Sequence, residues 1–331
     1  MRAIRQHAFG GPHELRLEQV ADLHPASGQV RIRVESAGVH LLDTVIRRGE
    51  AGPRAMPTLP MTPGREAAGV IDEIGPNVAE RWLGRFVVAD LGLASGGYAE
   101  LALAPLESLH DVPPELDADQ AVAMIGTGRT TMAILELAAP RAEDVVVITA
   151  AAGGIGALLI QAARGVGATV IGAAGGQQKV QVVKDLGATN AVDYLQPQWA
   201  DTLRGTLGDR QVTLALDGVG GKIGRGALEL LETAGRLVMF GSSSGALTEL
   251  SAADIYSRGI TVSAAIGKRI LQRPGGLHPI EHDALQAAAE GRLTPLIGQR
   301  FALADAASAH QTIESRAATG KTVLRPRPAG S

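Results

Sequence analysis

Short apolar segments alternate with amphipathic ones through the middle of the chain. Residues 145–148 form a continuous β-branched run, VVVI, which is typical of a parallel strand buried on both faces. Apolar residues then recur at helical spacing, at Ile155, Leu158, Leu159, Ala162 and Ala163. Further strand-like segments alternate with helices up to about residue 266: ATVIGAA, NAVDY, VTLALD, RLVMFG and ITVSAAI. This alternation predicts a doubly wound parallel sheet.

The two flanks of this region have a different pattern. Near the start, Val30, Ile32 and Val34 alternate with polar residues, and residues 67–74 and 86–89 are mostly small or β-branched, as in strands. The segment after residue 266 predicts a short helix, an extended stretch, a second helix and a Pro-rich tail. Both ends of the chain therefore differ in character from its middle.

These patterns predict two domains. Residues 1–120 and 267–331 together form a β-rich domain, and residues 121–266 form a doubly wound α/β domain inserted between them. The 331 residues, 45% of them hydrophobic, suffice for two cores. The formal net charge is −3, and no basic run offers a nucleic acid anything to bind. With no signal-peptide pattern and no bilayer-spanning apolar run, we expect a cytoplasmic protein with no membrane partner.

The sequence between the VVVI run and its helix, TAAAGGIG, predicts a phosphate-binding turn. Gly153 lets the backbone approach a pyrophosphate, and Gly156 lets the helix pack against its strand. The phosphates would then lie at the positive end of the helix. The first glycine of the usual G-x-G-x-x-G is Ala151 here, so an ordinary strand-to-helix turn is the alternative. A second β-branched segment at residues 169–171 completes a βαβ unit and favours the dinucleotide site.

The end of the second strand bears on which dinucleotide binds. NAD-binding folds place an acidic residue about 20 positions past the glycines, where it holds the ribose 2′-hydroxyl. Residues 174–179 read AGGQQK, so no carboxylate would repel a 2′-phosphate and Lys179 would attract one. We therefore predict NADPH as the cofactor. The alternative is that Lys179 is a solvated charge on the next helix.

The absence of cysteine limits the possible chemistry. It excludes disulfides, a cysteine nucleophile, iron–sulfur clusters and thiolate zinc sites. Among the histidines, His278 and His282 in HPIEH have a spacing that suggests a metal site. Because proline is favoured at the first helical position, we expect Pro279 to start a helix and to leave His278 off the face of His282. We predict no bound metal.

Several longer segments match a single family. They are GVHLLDTVIRRG at residues 38–49, PGREAAGVIDEIGPNV at 63–78, LDGVGGK at 216–222, FGSSSG at 240–245 and ESRAATGKTVL at 314–324. With AAAGGIG, they resemble the zinc-independent quinone oxidoreductase branch of the medium-chain dehydrogenase/reductases, relatives of zeta-crystallin, over nearly the whole chain. The resemblance implies an α/β fold in which a Rossmann sheet is inserted into a GroES-like catalytic domain. Zinc-dependent members have a cysteine in place of His40 and a histidine in place of Arg65, so it also implies a zinc-free site.

The resemblance implies a set of cofactor-binding residues. It places Gly153, Gly154, Ile155 and Gly156 at the pyrophosphate, Lys179 and Tyr194 at the 2′-phosphate, Thr130 near the nicotinamide, Phe240, Gly241 and Ser242 beside the cofactor, and Arg316 near the phosphates. Two of these residues have an alternative interpretation. Thr130 would otherwise bond to its own helix backbone, and Phe240 would be a core residue.

The substrate-facing positions depart from the family pattern. Where relatives commonly have asparagine the chain has His40, and where several have tyrosines it has Val45 and Glu50. His40 beside Asp43 is a candidate proton donor oriented by a carboxylate, or a polar residue that only positions the substrate. Asp43 is otherwise a structural hydrogen-bonding residue. Arg129 is a candidate cation for an acidic or phenolate group, or a solvated helix charge.

The resemblance implies hydride transfer from NADPH to a quinone or to another α,β-unsaturated carbonyl compound. Two alternatives stay open: an enoyl or enone reductase acting on polyketide or fatty intermediates, and a non-catalytic NADPH-binding sensor or crystallin-like protein. Family members often dimerise through the last Rossmann strand. The apolar row Ile260, Val262, Ala264 and Ile266 on a predicted edge therefore predicts a homodimer.

Overall fold

The computed structural model describes residues 1–50, 56–92 and 96–326, and the chain forms two compact units. The first unit comprises Met1–Gly126, Ala284–Ala289 and Ile297–Ser331. The second comprises Thr127–Asp283 and Glu290–Leu296. The predicted Pro-rich tail lies, from residue 327 onward, outside the described residues.

The second unit extends further along the chain than the domain boundary expected at residue 266. Residues 267–283 belong to it, and ion pairs explain why. Glu281 accepts a hydrogen bond of 2.6 Å from Arg129, and Arg273 pairs with Glu136 at 2.9 Å. These contacts tie residues 267–283 to the helix at the start of the second unit.

The first unit is built around a seven-stranded sheet. The nine strands in the described part of the unit, seven in this sheet and two in a separate pair, are β1 (Arg2–Gln6), β2 (Leu15–Gln19), β3 (Gln29–Val39), β4 (Glu66–Ile74), β5 (Phe86–Asp90), β6 (Leu101–Pro105), β7 (Leu109–Asp111), β14 (Ile297–Ala302) and β15 (Lys321–Arg325). Its helices are α1 (Leu41–Arg48), α2 (Ala118–Ala123), α11 (Ala306–Glu314) and the end of α10 (His278–Ala289). The order in the sheet is β14-β15-β3-β4-β5-β7, with β6 also paired to β3, while β1 and β2 pair with each other.

The long strand β3 shows why this sheet forms. Val30, Ile32 and Val34 are fully buried in the core, whereas Arg31 and Arg33 between them are partly exposed. The alternation seen in the sequence thus corresponds to the two faces of the strand. Its end pairs with the starts of β4 and β15, which brings three distant segments of the chain together.

The second unit is a six-stranded parallel sheet flanked by helices, which confirms the predicted fold class. Its strands are β8 (Val145–Thr149), β9 (Thr169–Ala174), β10 (Asn190–Asp193), β11 (Val212–Asp217), β12 (Leu231–Met239) and β13 (Thr261–Ala264). Its helices are α3 (Arg129–Ala138), α4 (Gly154–Gly165), α5 (Gln177–Asp185), α6 (Trp199–Leu207), α7 (Gly221–Leu230), α8 (Ala252–Arg258), α9 (Lys268–Leu271) and the start of α10. The strand order is β10-β9-β8-β11-β12-β13.

The central strand β8 is buried on both faces, as its apolar run predicts. Val146 and Ile148 belong to one core cluster, and Val145 and Val147 belong to another. Helices cover both faces of the sheet. The strand therefore has no solvent-facing side, and its apolar residues need not alternate with polar ones. No helix in the described ranges has both the length and the apolar content required to cross a membrane.

Strand β13 forms one edge of this sheet, as predicted. The apolar row along it is not uniformly exposed. Ile260 is buried in the core, Val262 is half-buried, and Ala264 and Ile266 are exposed. In helix α8, the Tyr256 side chain is almost fully exposed.

Candidate functional site

The turn between β8 and α4 has the geometry of a phosphate-binding turn. Gly153 caps the helix, and α4 begins at Gly154. A Cβ atom on Gly156 would lie 2.7 Å from the Cα of Ala151, so only glycine allows this approach of helix and strand. Ala150, the residue before Ala151, adopts the left-handed conformation, with φ of 51°. The outward-facing N–H groups at the start of α4 fit a pyrophosphate.

The turn between β9 and α5 brings together the two residues predicted at the 2′-phosphate. The ring of Tyr194 packs on Gly175, where a Cβ would lie 3.0 Å from the tyrosine Cε2. Lys179 lies in the first turn of α5, and its N–H donates to the carbonyl of Gly176. Both side chains are partly exposed. Their arrangement around one glycine turn fits a phosphate ligand.

A carboxylate that the sequence reasoning missed lies behind this turn. Asp193, the last residue of β10, accepts hydrogen bonds from the N–H groups of Gly176 and Leu195, at 2.8 and 3.0 Å. Burial opposes its ionisation, but these donors outweigh that effect and lower the pKa of the carboxyl group. The signal in the sequence was its position directly before Tyr194, at the end of a strand.

The ends of β11 and β12 form the next part of this edge. Phe240 is buried, and its ring lies on Gly218, so it occupies the core position that was the alternative for it. Gly241 also lies against Gly218. A Cβ atom on Gly241 would lie 2.6 Å from the carbonyl oxygen of Gly218. Ser242 follows, and its carbonyl accepts from the N–H of Gly245.

Asp217 is a buried hub that holds this edge in place, and the sequence reasoning did not single it out. Its carboxyl group accepts from the hydroxyls of Thr149 and Thr248, at 2.7 and 2.6 Å, and from the N–H groups of Val219 and Gly220. Thr149 ends β8, so one side chain joins the phosphate-binding turn to the loop after β11. This fixes the shape of the predicted cofactor site.

The start of α3 carries two of the predicted residues. Arg129 is the first residue of the helix, and its guanidinium donates to Glu281 at 2.6 Å. Both side chains are mostly buried, so Arg129 is not a solvated helix charge. Thr130 follows in the same turn and is partly exposed.

Arg316 lies in the first unit, just after α11. It is exposed and adopts the left-handed conformation, with φ of 58°. Its N–H donates to the carbonyl of Ile313. The residue is therefore held at a helix end and presents its side chain at the surface of that unit.

His40 belongs to a compact cluster with Glu66 and Lys321. Its Nε2 atom lies 2.6 Å from Glu66 Oε1 and 2.7 Å from Lys321 Nζ, and Lys321 Nζ lies 2.8 Å from Glu66 Oε2. The side chains of Glu66 and Lys321 are 2% and 4% exposed, whereas that of His40 is 24% exposed. The imidazole is therefore the part of the cluster that solvent or a ligand can reach.

His40 and Lys321 stabilise the ionised form of Glu66. Burial alone would raise the pKa of Glu66, but the facing His40 and Lys321 outweigh it and hold that pKa well below its usual range. Glu66 thus stays ionised beside the lysine ammonium. Sequence reasoning missed both partners, although Glu66 lies in the quoted PGREAAGV segment and Lys321 in the quoted GKTVL segment.

The carboxylate of Asp43 contacts the backbone of His40, and the His40 side chain in turn faces the backbone N–H of Asp43, as in a capping box. Its Oδ2 atom accepts from the His40 N–H at 2.8 Å, which closes the first turn of α1, and from the Tyr98 hydroxyl at 3.1 Å. The same hydroxyl lies 3.2 Å from Nε2 of the fully buried His310. The carboxylate that faces the His40 ring is thus Glu66. Asp43 has the geometry of the structural alternative.

The same buried network lowers the basicity of His310. Burial lowers the pKa of His310 to about 4; the charge of Asp43 opposes this shift and that of Arg47 adds to it. Tyr98 is also fully buried, and burial together with the Asp43 charge raises its pKa well above the usual value. Both groups are neutral in neutral solution.

The histidines and carboxylates do not assemble a metal site in the described ranges, where no group of three or more potential ligands is found. The Lys321 ammonium lies against His40 Nε2, so a metal at this nitrogen would have to replace it. Arg65, where zinc-dependent members of the superfamily have a histidine, donates to the carbonyl of Gly92. Helix α10 begins at His278, one residue earlier than expected from Pro279.

Comparison with known proteins identifies relatives over the full length of the chain. Two family models match: the alcohol dehydrogenase GroES-like domain over residues 26–114 and zinc-binding dehydrogenase over residues 154–276. A quinone oxidoreductase of Sus scrofa is 33% identical over 334 residues, covering 98% of this chain and 97% of its own.

Solved structures also match nearly the whole chain. The crystal structure of Escherichia coli quinone oxidoreductase complexed with NADPH matches with a TM-score of 0.87 and 28% identity, covering 98% of this chain and 100% of its own. The structure of a 2-haloacrylate reductase matches with a TM-score of 0.80 and 28% identity, covering 99% of this chain and 100% of its own.

Proposed function

This chain belongs to the quinone oxidoreductase branch of the medium-chain dehydrogenase/reductase superfamily, and we propose that it reduces a quinone or another conjugated carbonyl compound with NADPH. The observation that carries this proposal is the pair of glycine turns after β8 and β9. The first fits a pyrophosphate, and the second has the Tyr194 ring on Gly175 and Lys179 in the first turn of the helix that follows. A relative with the same fold was crystallised with NADPH.

The residues of the second unit bind and orient the cofactor in this proposal. The N–H groups of Gly154, Ile155 and Gly156 bind the pyrophosphate, and Lys179 and Tyr194 bind the 2′-phosphate. Thr130 orients the nicotinamide, and residues 240–242 line the same edge of the sheet. Bound NADPH supplies a hydride from C4 of its nicotinamide.

The residues of the first unit serve the acceptor. His40 donates a hydrogen bond or a proton to the oxygen on which negative charge develops. Arg316 contributes a positive charge for the cofactor phosphates, and Asp43 fixes the start of α1 so that His40 keeps its place. Arg129 of the second unit, held by Glu281, is the candidate cation for an acidic or phenolate group.

A homodimer through the edge strand β13 is also part of this proposal. An edge strand leaves one row of backbone donors and acceptors for a partner strand, and a second copy offers the same row in return. The exposed side chain of Ile266, two residues past the end of this strand, supports it. Light scattering after size-exclusion chromatography tests it, and a monomeric mass would contradict it.

The function is tested by following NADPH absorbance with benzoquinone, phenanthrenequinone, an α,β-unsaturated ketone and a crotonyl thioester, with NADH as the comparison. Turnover with preference for NADPH supports the proposal. Activity on the thioester alone would indicate an enoyl reductase, and tight NADPH binding without turnover would indicate a sensor.

Matched glycine variants tie any activity to the proposed site. Gly156→Ala adds a Cβ that collides with Ala151, and it should weaken NADPH binding by tenfold or more, about 1.4 kcal/mol or above. Gly165→Ala at the far end of the same helix meets open space and should bind NADPH like the wild type. Equal binding by both variants would place the cofactor elsewhere.

A further inference from the structure

A carboxyl group on strand β10 holds the turn that follows the neighbouring strand β9. The two strands are parallel, and Asp193 at the end of β10 pairs with Ala174 at the end of β9. The turn between β9 and α5 begins at this edge of the sheet, with Gly175 and Gly176, and α5 begins at Gln177. The side chain of Asp193 is thus within reach of this turn, although 17 positions separate it from Gly176 in the sequence.

The side chain of Asp193 fixes the residue at which helix α5 starts. Gly176 is the N-cap of α5 and has φ of 87°, a conformation that favours glycine. Its N–H donates to Asp193 Oδ1 at 2.8 Å, and its carbonyl accepts from the N–H groups of Lys179 and Val180. Glycine has no side chain with which to cap a helix. The carboxyl group of Asp193 therefore anchors the start of α5, and with it Lys179 in the first turn.

The same oxygen atom also holds the backbone that carries Tyr194. The N–H of Leu195, the next residue, donates to Asp193 Oδ1 at 3.0 Å. The N–H of Tyr194 itself donates to the carbonyl of Ala174 at 3.0 Å, and the tyrosine ring lies on Gly175. Asp193 Oδ1 thus joins the segment that presents Tyr194 to the turn from which α5 starts.

The carboxyl group of Asp193 bonds to the protein and not to solvent. The residue is 8% exposed, Oδ1 accepts two backbone N–H groups, and Oδ2 lies 3.4 Å from Gln196 Nε2. These donors outweigh the effect of burial and lower the pKa of the group, so it is ionised in neutral solution. An acid that binds a ribose 2′-hydroxyl must instead present its oxygen atoms to the nucleotide. The contacts of Asp193 therefore differ from those of such an acid.

We propose that Asp193 is a positioning residue that determines the selectivity for NADPH over NADH, an inference that rests on the proposed function. It acts through Lys179 and Tyr194, which it holds in the arrangement that receives the 2′-phosphate, and it does not contact the phosphate itself. NADH has a hydroxyl group at this position and gains little from the arrangement. Loss of the Asp193 contacts should therefore weaken the binding of the phosphorylated nucleotide selectively.

Nucleotide binding to the full-length protein tests this inference without turnover. The fragment 2′,5′-ADP carries the 2′-phosphate and 5′-AMP lacks it, and NADPH and NADH form the same contrast with the nicotinamide present. Asp193→Ala removes both hydrogen bonds to Oδ1. It should raise the dissociation constants of 2′,5′-ADP and NADPH about tenfold, while those of 5′-AMP and NADH change less than about twofold. Calorimetric titration measures all four.

Two conservative variants separate the position of the oxygen atom from its charge. Asp193→Asn keeps an oxygen that can accept from the N–H groups of Gly176 and Leu195, so it should bind NADPH within about threefold of the wild type. Asp193→Glu keeps the charge, but its longer side chain cannot hold the oxygen in the same place, so its affinity should fall as in Asp193→Ala. Asp185→Ala, at an exposed aspartate that ends α5, is the control and should bind all four nucleotides like the wild type.

Amide hydrogen exchange of the cofactor-free protein gives a second readout. The Gly176 N–H is bonded to Asp193 in the folded protein, so its exchange should become at least about tenfold faster in Asp193→Ala. Asp193→Asn should keep most of this protection. The amides of β8, at the centre of the same sheet, should exchange at the wild-type rate in both variants, which distinguishes a local change at the turn from a general loss of stability.

The outcomes separate this inference from the proposed function. Equal losses for nucleotides with and without the 2′-phosphate, or undiminished NADPH binding by Asp193→Ala, would overturn the inference while the preference for NADPH stands. A selective loss of NADH binding would also overturn it, because Asp193 would then bind the ribose 2′-hydroxyl. A wild type that binds 2′,5′-ADP no better than 5′-AMP would overturn both the proposed use of NADPH and this inference. If Asp193→Ala fails to fold, equal NADPH affinities of Asp193→Asn and Asp193→Glu would overturn the inference.

Discussion

Two buried carboxyl groups, one in each unit, are held in different ways. Asp217 accepts only from threonine hydroxyls and backbone N–H groups, which do not change their protonation in neutral solution. Glu66 is held by a lysine and a histidine, whose side chains are ionisable. Asp217 is closed off from solvent, whereas the cluster of Glu66 opens to it through His40. The kind of donor around a buried carboxyl group thus distinguishes a structural hub from a candidate chemical site.

Removing the hub should have the largest effect on stability. Asp217→Ala leaves two hydroxyls and two backbone N–H groups without their acceptor, so we expect the free energy of unfolding to fall by about 4 kcal/mol. Chemical denaturation measures this. Asp201→Ala, at an exposed aspartate of the same unit, should change it by no more than about 0.5 kcal/mol. Comparable losses in the two variants would show that Asp217 is not a hub.

In the cluster of Glu66, a second substitution should restore part of the stability that a first one removes. We expect no such recovery at Asp217. Lys321→Met leaves a buried carboxylate with one cationic partner fewer, and the free energy of unfolding should fall by about 3 kcal/mol. Adding Glu66→Gln should recover part of this loss, because the uncompensated charge is then removed. Denaturation of the two single variants and the double variant measures the coupling. Purely additive losses would mean that the two charges do not interact.

A third buried group, His310, should make stability depend on pH. Its pKa is about 4 in the folded protein against 6.5 for an unperturbed histidine, so the unfolded chain binds the proton more readily. The stabilising effect is complete above pH 6.5 and is lost as the pH falls toward 4, by up to about 3 kcal/mol. Unfolding of the wild type and His310→Gln over this range measures it.

The control for this pH dependence is His13→Gln, since His13 is exposed. It should retain the pH slope of the wild type, whereas His310→Gln should lose most of it. If His310→Gln keeps the full slope, the acid sensitivity arises from other groups.

At the partly exposed turn after β9, removing the Lys179 charge should affect the proposed nucleotide binding and not stability. Lys179→Met should weaken NADPH binding about tenfold, or about 1.4 kcal/mol, and leave NADH binding unchanged. Lys184→Met, on the same helix, should leave the affinity for both nucleotides at the wild-type value. Calorimetric titration with each nucleotide measures this. An equal loss of affinity for both nucleotides would contradict a 2′-phosphate contact.

The sequence was a good guide to the second unit because local patterns determine it. The VVVI run marks a strand that is buried on both faces, and Gly156 marks the close approach of helix to strand. Lys179 was inferred from the missing acidic residue at the end of β9 and Tyr194 from a family resemblance, and both lie at the turn between β9 and α5. The limits of the inserted unit were harder to predict, because the Arg129–Glu281 pair joins residues far apart in sequence.

The sequence was a poorer guide to the candidate site in the first unit. Nearness in sequence suggested that Asp43 orients the His40 ring, but a residue three positions into a helix caps the backbone, as Asp43 does. Glu66 and Lys321 reach His40 only through the register of β3 with β4 and β15. A single sequence does not reveal such a register.

The most direct test of the account is to reduce an α,β-unsaturated ketone with NADPH carrying deuterium at both positions of nicotinamide C4, and in a second reaction to use unlabelled NADPH in deuterated water. The product is then examined by NMR. We expect the cofactor's deuterium at the β-carbon and the solvent's deuterium at the α-carbon. Product without cofactor deuterium, or no product with any acceptor while NADPH binds, would contradict hydride transfer by this protein.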